Sequence, residues 1–239
     1  MRFDQKGRSL RHKMHDNTGP TVRLFVLARH AESSANVAGM VSSLPSRSVG
    51  LTARGQDQAR QLGAQLANIE IDLAVCTRFL RTQQTVELAL QARRVPRLID
   101  AGFDEVRAVD FDGQPIETYW SWERQHAASE RLPHGESMDE ALLRHAAALR
   151  RLLSRTELVT FVVVHEFALR HIAAAATTSS PTVEPSFTNA VPWLFDESAI
   201  ERAAATIGAL CQSDPNEHRR RDPVGDSLHF TGEWNLGDP

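Results

Sequence analysis

Two apolar runs in this chain stop on a histidine, and that coincidence limits the fold more than any other feature. Thr160-Phe161-Val162-Val163-Val164 is the most β-branched run and ends on His165. Val22-Arg23-Leu24-Phe25-Val26-Leu27-Ala28 ends on Arg29-His30. Short, nearly unbroken apolar runs of this kind read as strands buried on both faces. Strands buried that way belong to open α/β sheets, which take their ligands at the carboxyl ends of the strands.

The rest of the chain fits such a sheet. Ile71 to Cys76 is a further short apolar run, and Thr77-Arg78-Phe79-Leu80-Arg81-Thr82 opens a helix behind it. Val95 to Ile99 reads as a third strand and Asn189 to Phe195 as a last one. Thr52 is placed as an N-cap, with Ala59, Leu62, Leu66 and Ile69 on one helical face. Ser137 and Glu140 make a capping box ahead of a stripe of Leu142, Ala146, Leu149 and Leu153. An Ala-rich helix follows His165 over 168–176, and Ser198 to Leu210 forms the last. The order predicts an α/β fold, a three-layer α/β/α sandwich with a mostly parallel central sheet and its ligand turns on one edge. Asn36 to Gly50, rich in Gly, Ser and Pro, reads as a loop over that edge. Residues 106–135, with Tyr119, Trp120 and Trp122, form either a cap facing the substrate or a peripheral apolar patch. We expect an N-terminal extension over 1–20, one catalytic domain over 21–212 and a polar tail over 213–239.

Charge excludes several function classes. With 27 Lys and Arg against 30 Asp and Glu, the formal net charge is -3. Neither nucleic acid nor a membrane surface is therefore an expected partner, and any anion site must be local. The only lysines are Lys6 and Lys13, which excludes a Schiff-base lysine and a Gly-Lys-Ser/Thr phosphate loop in the folded part. Two cysteines, Cys76 and Cys211, make no disulfide framework. The first twenty residues lack the apolar core of a secretory signal, and no run is long enough to span a bilayer. The expected location is cytoplasmic. His12 and His15 have no cysteine or carboxylate company and read as solvated, so no metal site is expected.

A phosphate monoester carries about two negative charges, and binding it without metal needs several fixed cationic donors. Three strand ends supply candidates: Arg29 and His30, then Arg81, then His165. Arginine's planar fork suits phosphate oxygens, while histidine serves as nucleophile when neutral and as donor when protonated.

Leu27-Ala28-Arg29-His30-Ala31-Glu32-Ser33-Ser34-Ala35-Asn36 resembles the Arg-His-Gly/Ala-Glu-Ser/Thr signature of the histidine phosphatase (phosphoglycerate mutase-like) superfamily, branch 1. Four more blocks resemble that family in order. They are the Leu51-Thr52…Gly55…Gln58-Ala59 helix start, Arg81-Thr82-Gln83-Gln84-Thr85, Glu105 with Asp112-Gly113 and then Gly135-Glu136-Ser137, and Val162-Val163-Val164-His165. The resemblance implies a phosphoglycerate mutase-like fold and a metal-independent phosphomonoesterase acting on a small phosphorylated metabolite. His30 would form a phosphohistidine. Arg29, Arg81 and His165 would hold the phosphate oxygens, and Asn36 would add a neutral hydrogen bond. Glu105 would protonate the leaving oxygen. The resemblance calls for no cofactor, and a homodimer is compatible with it.

Two positions depart from the family pattern. Glu166 stands where glycine is usual after the second histidine. An acidic residue there is the proton donor in the acid-phosphatase branch, so Glu166 is an alternative general acid to Glu105, or a structural partner for an arginine. The loop from Val37 to Gly50 lacks the Gly-Trp-x-Asp element often found there, which leaves substrate contacts unassigned. Residues 106–135 lack the paired arginines of the cofactor-dependent mutases, which favours hydrolysis over phosphomutase activity. A non-catalytic phospholigand-binding relative is a third reading, disfavoured by the retention of His30, Arg29, Arg81 and His165.

Overall fold

The computed structural model describes residues 23–91, 93–177 and 187–211. The expected extension over 1–20 and tail over 213–239 lie outside these.

Five strands form one sheet in the order β3-β2-β4-β1-β5: β1 Leu24–Arg29, β2 Leu73–Cys76, β3 Arg97–Ile99, β4 Val159–Val164 and β5 Pro192–Asp196. The first four are mutually parallel, and β5 pairs antiparallel with β1 at the edge. The mostly parallel sandwich is therefore as the sequence predicts. β2 and β3 begin two residues later than expected, and β5 begins at Pro192 rather than Asn189.

Alternation along the central strands builds both layers. Phe25, Leu27, Val162 and Val164 face α5 (Met138–Leu153), α6 (Glu166–Ala176) and α7 (Glu197–Leu210). Val26, Ala28, Phe161 and Val163 face α2 (Ala53–Gln65) and α3 (Leu80–Ala89). Thr52 caps α2 by accepting from the Gly55 N–H, and Ser137 with Glu140 closes the capping box of α5. The buried stripe of α5 is rotated from the expected one. Ala141, His145, Ala148 and Leu152 lie inside with Ala146 and Leu149, while Leu142 and Leu153 are only partly covered.

Asn36 to Gly50 is not wholly loop. Residues Ser34–Ala38 form the short α1, capped by Ser33, and Pro45–Arg47 is a 3₁₀ turn. Inside 106–135 lies α4, Ile116–Glu123. Reciprocal backbone bonds tie the two segments together: Val41 N–H to the Gln114 carbonyl at 2.8 Å, Gly113 N–H to Val41 at 2.9 Å and Ile116 N–H to Gly39 at 2.8 Å. Buried Asp112 accepts from the Ser43 N–H at 2.7 Å and pairs with Arg47. Phe111, Ile116, Tyr119, Trp122 and Phe167 close a small apolar cluster around Val41, Val106 and Leu132. Among the described residues no helix is long and apolar enough to cross a membrane.

Candidate active site

β1 delivers His30 and β4 delivers His165 at the same end of the sheet, because the two strands run parallel in register and Arg29 lies opposite Val164. The His30 N–H donates to the Val164 carbonyl at 2.9 Å, and Asn189 Nδ2 holds the His30 carbonyl at 2.7 Å. The imidazole rings sit 5.4 Å apart, edge to face. Both side chains are buried.

Arg81, in the first turn of α3, lies between them. Its Nε–H donates to His30 Nε2 at 3.0 Å and its NH2 donates to His165 Nδ1 at 3.0 Å. A guanidinium cannot accept, so both ring nitrogens must carry lone pairs. The protons are then on the other sides. His30 Nδ1–H donates to the Ala31 carbonyl at 2.8 Å, and His165 Nε2–H donates to Thr77 Oγ1 at 3.0 Å. Thr77 Oγ1 in turn lies 2.9 Å from Thr82 Oγ1, whose hydroxyl donates to the Phe79 carbonyl at 2.8 Å. Arg81 NH1 and NH2 also reach the Ser42 hydroxyl and carbonyl at 3.0 and 3.1 Å, which anchors the 39–47 loop to the site.

Burial and the neighbouring cations fix the protonation states. His30 is held well below the usual histidine range, first by burial and then by Arg81 and Arg29. His165 is lowered in the same way by burial, Arg81 and His30. Burial brings Arg81 down to about 10, so it remains charged at neutral pH. A neutral imidazole with its Nε2 lone pair turned toward a buried guanidinium can act as a nucleophile toward an anionic, electrophilic phosphorus.

Glu105 follows the Ala101–Phe103 turn and lies 3.8 Å from His165 Nδ1. Burial raises its carboxyl above the usual range, opposed by Arg81 and the Val106 N–H. A cavity of about 620 Å³ has Glu105 in its wall, together with Leu44, Phe79, Gly102, Asp104 and Arg107. The backbone around Glu105 is well held. Arg144 donates to the Gly102 and Asp104 carbonyls at 3.1 and 2.9 Å, and His145 Nε2 reaches Asp104 at 3.1 Å.

Arg29, next to His30 in the chain, pairs through NH1 with Glu166 at 2.7 Å. Glu166 also meets Arg170 at 2.5 Å, one turn along α6. The structural-partner reading of Glu166 thus has its arginines. Arg78 pairs with Asp104 and is largely exposed, so Arg81 is the arginine that enters the site. Asn36 spends its Oδ1 on Ser33, accepting from its N–H at 3.0 Å and its hydroxyl at 2.9 Å.

Thr77, Ser42 and Asn189 escaped the sequence reading. Thr77 carried a signal, since it is a polar residue at the end of β2. Ser42 and Asn189 did not, because their roles depend on loop paths. The Thr52…Gly55…Gln58 block acts by supporting the first turn. Thr52 Oγ1 donates to the Glu32 carboxylate at 2.6 Å and Gln58 Oε1 accepts from the Glu32 N–H at 2.8 Å. A Cβ on Gly55 would overlap the Glu32 carbonyl.

Comparison with known proteins identifies the family. The family model of the histidine phosphatase superfamily (branch 1) matches residues 25–190. An adenosylcobalamin/alpha-ribazole phosphatase of Escherichia coli (strain K12) is 32% identical over 116 residues, which cover 44% of this chain and 56% of that protein. This chain's match therefore spans about half the length of that curated relative. The crystal structure of the alpha-ribazole phosphatase from Shigella flexneri superposes with a TM-score of 0.57 at 27% identity, over 66% of this chain and 81% of that one. Bacillus stearothermophilus YhfR gives a TM-score of 0.63 at 21% identity over 72% and 89%, a likeness of fold alone.

Proposed function

The chain belongs to branch 1 of the histidine phosphatase superfamily, and we propose that it hydrolyses small phosphate monoesters through a phosphohistidine on His30. The observation that carries this reading is the tautomer of His30. Its Nδ1–H is committed to the Ala31 carbonyl, and its Nε2 lone pair faces Arg81.

His30 Nε2 attacks phosphorus in line as the ester P–O bond breaks. Glu105, whose carboxyl burial raises above the usual range, gives its proton to the departing alkoxide, so an alcohol leaves. Arg81 and Arg29 hold the equatorial oxygens, and Asn36 offers its side-chain NH₂. His165 becomes a donor from Nδ1 once Arg81 turns to the phosphate and the dianion favours the protonated ring. The Glu105 carboxylate then takes a proton from water. The resulting hydroxide attacks phosphorus, the N–P bond breaks, and inorganic phosphate leaves with His30 and protonated Glu105 restored.

Residues 106–135 serve as a cap, bound through Val41 and Asp112 to the loop that Arg81 anchors. The leaving alcohol is assigned to the cavity that has Glu105 in its wall. The names of the alpha-ribazole phosphatases make alpha-ribazole phosphate the first ester to try.

The test is phosphate release from p-nitrophenyl phosphate and a panel of sugar, glycerate and nucleotide phosphates, with a chelator present and His30→Ala alongside. Release that survives the chelator and disappears in the variant supports the reading. Isomerised product without net phosphate identifies a mutase, and silence across the panel identifies a binding protein.

A further inference from the structure

The Arg29 guanidinium is engaged on one side only. Its NH1 lies 2.7 Å from Glu166 Oε2 and donates to the Phe187 carbonyl at 3.1 Å. Its Nε is buried and has no hydrogen-bond partner. Buried guanidinium donors are rarely left unpaired, because the desolvation of the N–H goes uncompensated. Arg29 also contributes to the positive field that keeps His30 neutral, so its charge is felt at the nucleophile.

Glu166 is engaged from both sides. Oε2 meets Arg29 from β1 and Oε1 meets Arg170 on its own helix at 2.5 Å. The other charged group facing it is Glu105, from the segment after β3. Burial raises the Glu166 carboxyl, while Arg29 and Arg170 oppose that rise. Each guanidinium favours the charged form of Glu166, and both of its carboxylate oxygens are engaged.

We infer that Glu166 is a positioning residue: together with the Phe187 carbonyl it pins Arg29 by NH1, and it leaves the Nε edge to receive a phosphate oxygen beside His30. Arg170 balances the charge that Glu166 brings into the site. The inference rests on the reading of the His30 pocket as a phosphate site. It replaces the alternative of Glu166 as proton donor with a role exerted through Arg29.

A double-mutant cycle on inorganic phosphate binding, read by calorimetry, tests it without requiring turnover. Glu166→Gln is expected to weaken phosphate about tenfold when Arg29 is present. In the Arg29→Gln background the same change is expected to cost less than about twofold. Glu166→Asp, which keeps the charge on a shorter stem, falls between wild type and Glu166→Gln. The ratio of alkyl to aryl phosphate turnover stays unchanged in Glu166→Gln.

Equal weakening in both backgrounds overturns the inference, as does unchanged or tighter phosphate binding in Glu166→Gln. A selective loss on alkyl esters overturns it in favour of a proton donor. A wild-type protein that binds phosphate yet hydrolyses no ester contradicts the phosphatase reading alone, and the cycle still decides the role of Glu166.

Discussion

Arg81 donates from two different nitrogens to His30 Nε2 and His165 Nδ1, each at 3.0 Å. One buried cation thus sets the tautomers of both histidines and occupies the Nε2 lone pair of His30. The two rings come from strands 135 residues apart in number, and a single side chain on a helix between them joins their chemistry.

Arg81→Gln removes that cation while leaving a polar side chain. We expect kcat/KM on p-nitrophenyl phosphate to fall ~10²- to 10³-fold, the usual loss for one donor to a developing charge. The positive charge depresses His30, so its removal raises the histidine's pKa. The acid limb of the kcat/KM profile then moves to higher pH. Arg78→Gln, which alters an exposed pair with Asp104, leaves the limb in place.

Glu105→Gln tests the proton donor. Because burial raises the Glu105 carboxyl, the acid form persists to higher pH than an ordinary glutamate allows. The variant is expected to lose about 10²- to 10⁴-fold in kcat/KM on alkyl phosphates. It should lose far less in kcat/KM on p-nitrophenyl phosphate, whose leaving group departs without a proton. On both esters kcat falls, because the second step also needs Glu105. Equal losses of kcat/KM on both esters would remove Glu105 from the role of proton donor.

The meeting of His30, Arg81 and His165 was legible because motif and topology agree. Arg29-His30 and His165 end apolar runs, and parallel strands in register must bring those ends together. Arg81 opens the Arg81-Thr82-Gln83-Gln84-Thr85 block of the family resemblance, and the first turn of α3 buries it. The Arg29–Glu166 pair was harder to see. Glu166 stood out as a departure from the family pattern, but nothing local says which arginine meets it, since Arg29 lies 137 residues away. The short helix Ser34–Ala38 was missed inside a Gly- and Ser-rich stretch. Its cap is a Ser33–Asn36 box, where asparagine stands in for the glutamate that the usual pattern requires. The rotated stripe of α5 has a similar cause. His145 lies on the buried face because Phe103 stacks on it and Asp104 accepts from it, partners that helical periodicity does not encode.

His145 leads to a prediction about acid stability. Burial, then Arg144, lowers its pKa to about 3, against ~6.5 for an unfolded histidine. Between those values the unfolded chain holds a proton that the native chain lacks. The stability that neutral His145 contributes is complete above pH ~6.5 and is lost as pH falls toward 3. His30 and His165, also depressed, act in the same direction. Each histidine adds roughly 1.4 kcal/mol per pH unit to the slope within its window. Denaturant unfolding at pH 7, 6 and 5 should show stability declining with acid, and His145→Leu should decline less steeply. Arg144 still serves the Asp104 carbonyl in that variant.

The central claim is that phosphorus is carried on His30, and the direct measurement is mass spectrometry of rapidly quenched protein. Wild-type and Glu105→Gln protein are mixed with p-nitrophenyl phosphate, quenched in alkali, where phosphoramidates survive, and digested. One phosphoryl group on the peptide containing His30, accumulating in Glu105→Gln because water is no longer activated, and absent from His30→Ala, is the predicted result. Phosphorylation at any other residue, or undiminished phosphate release from His30→Ala, would contradict it.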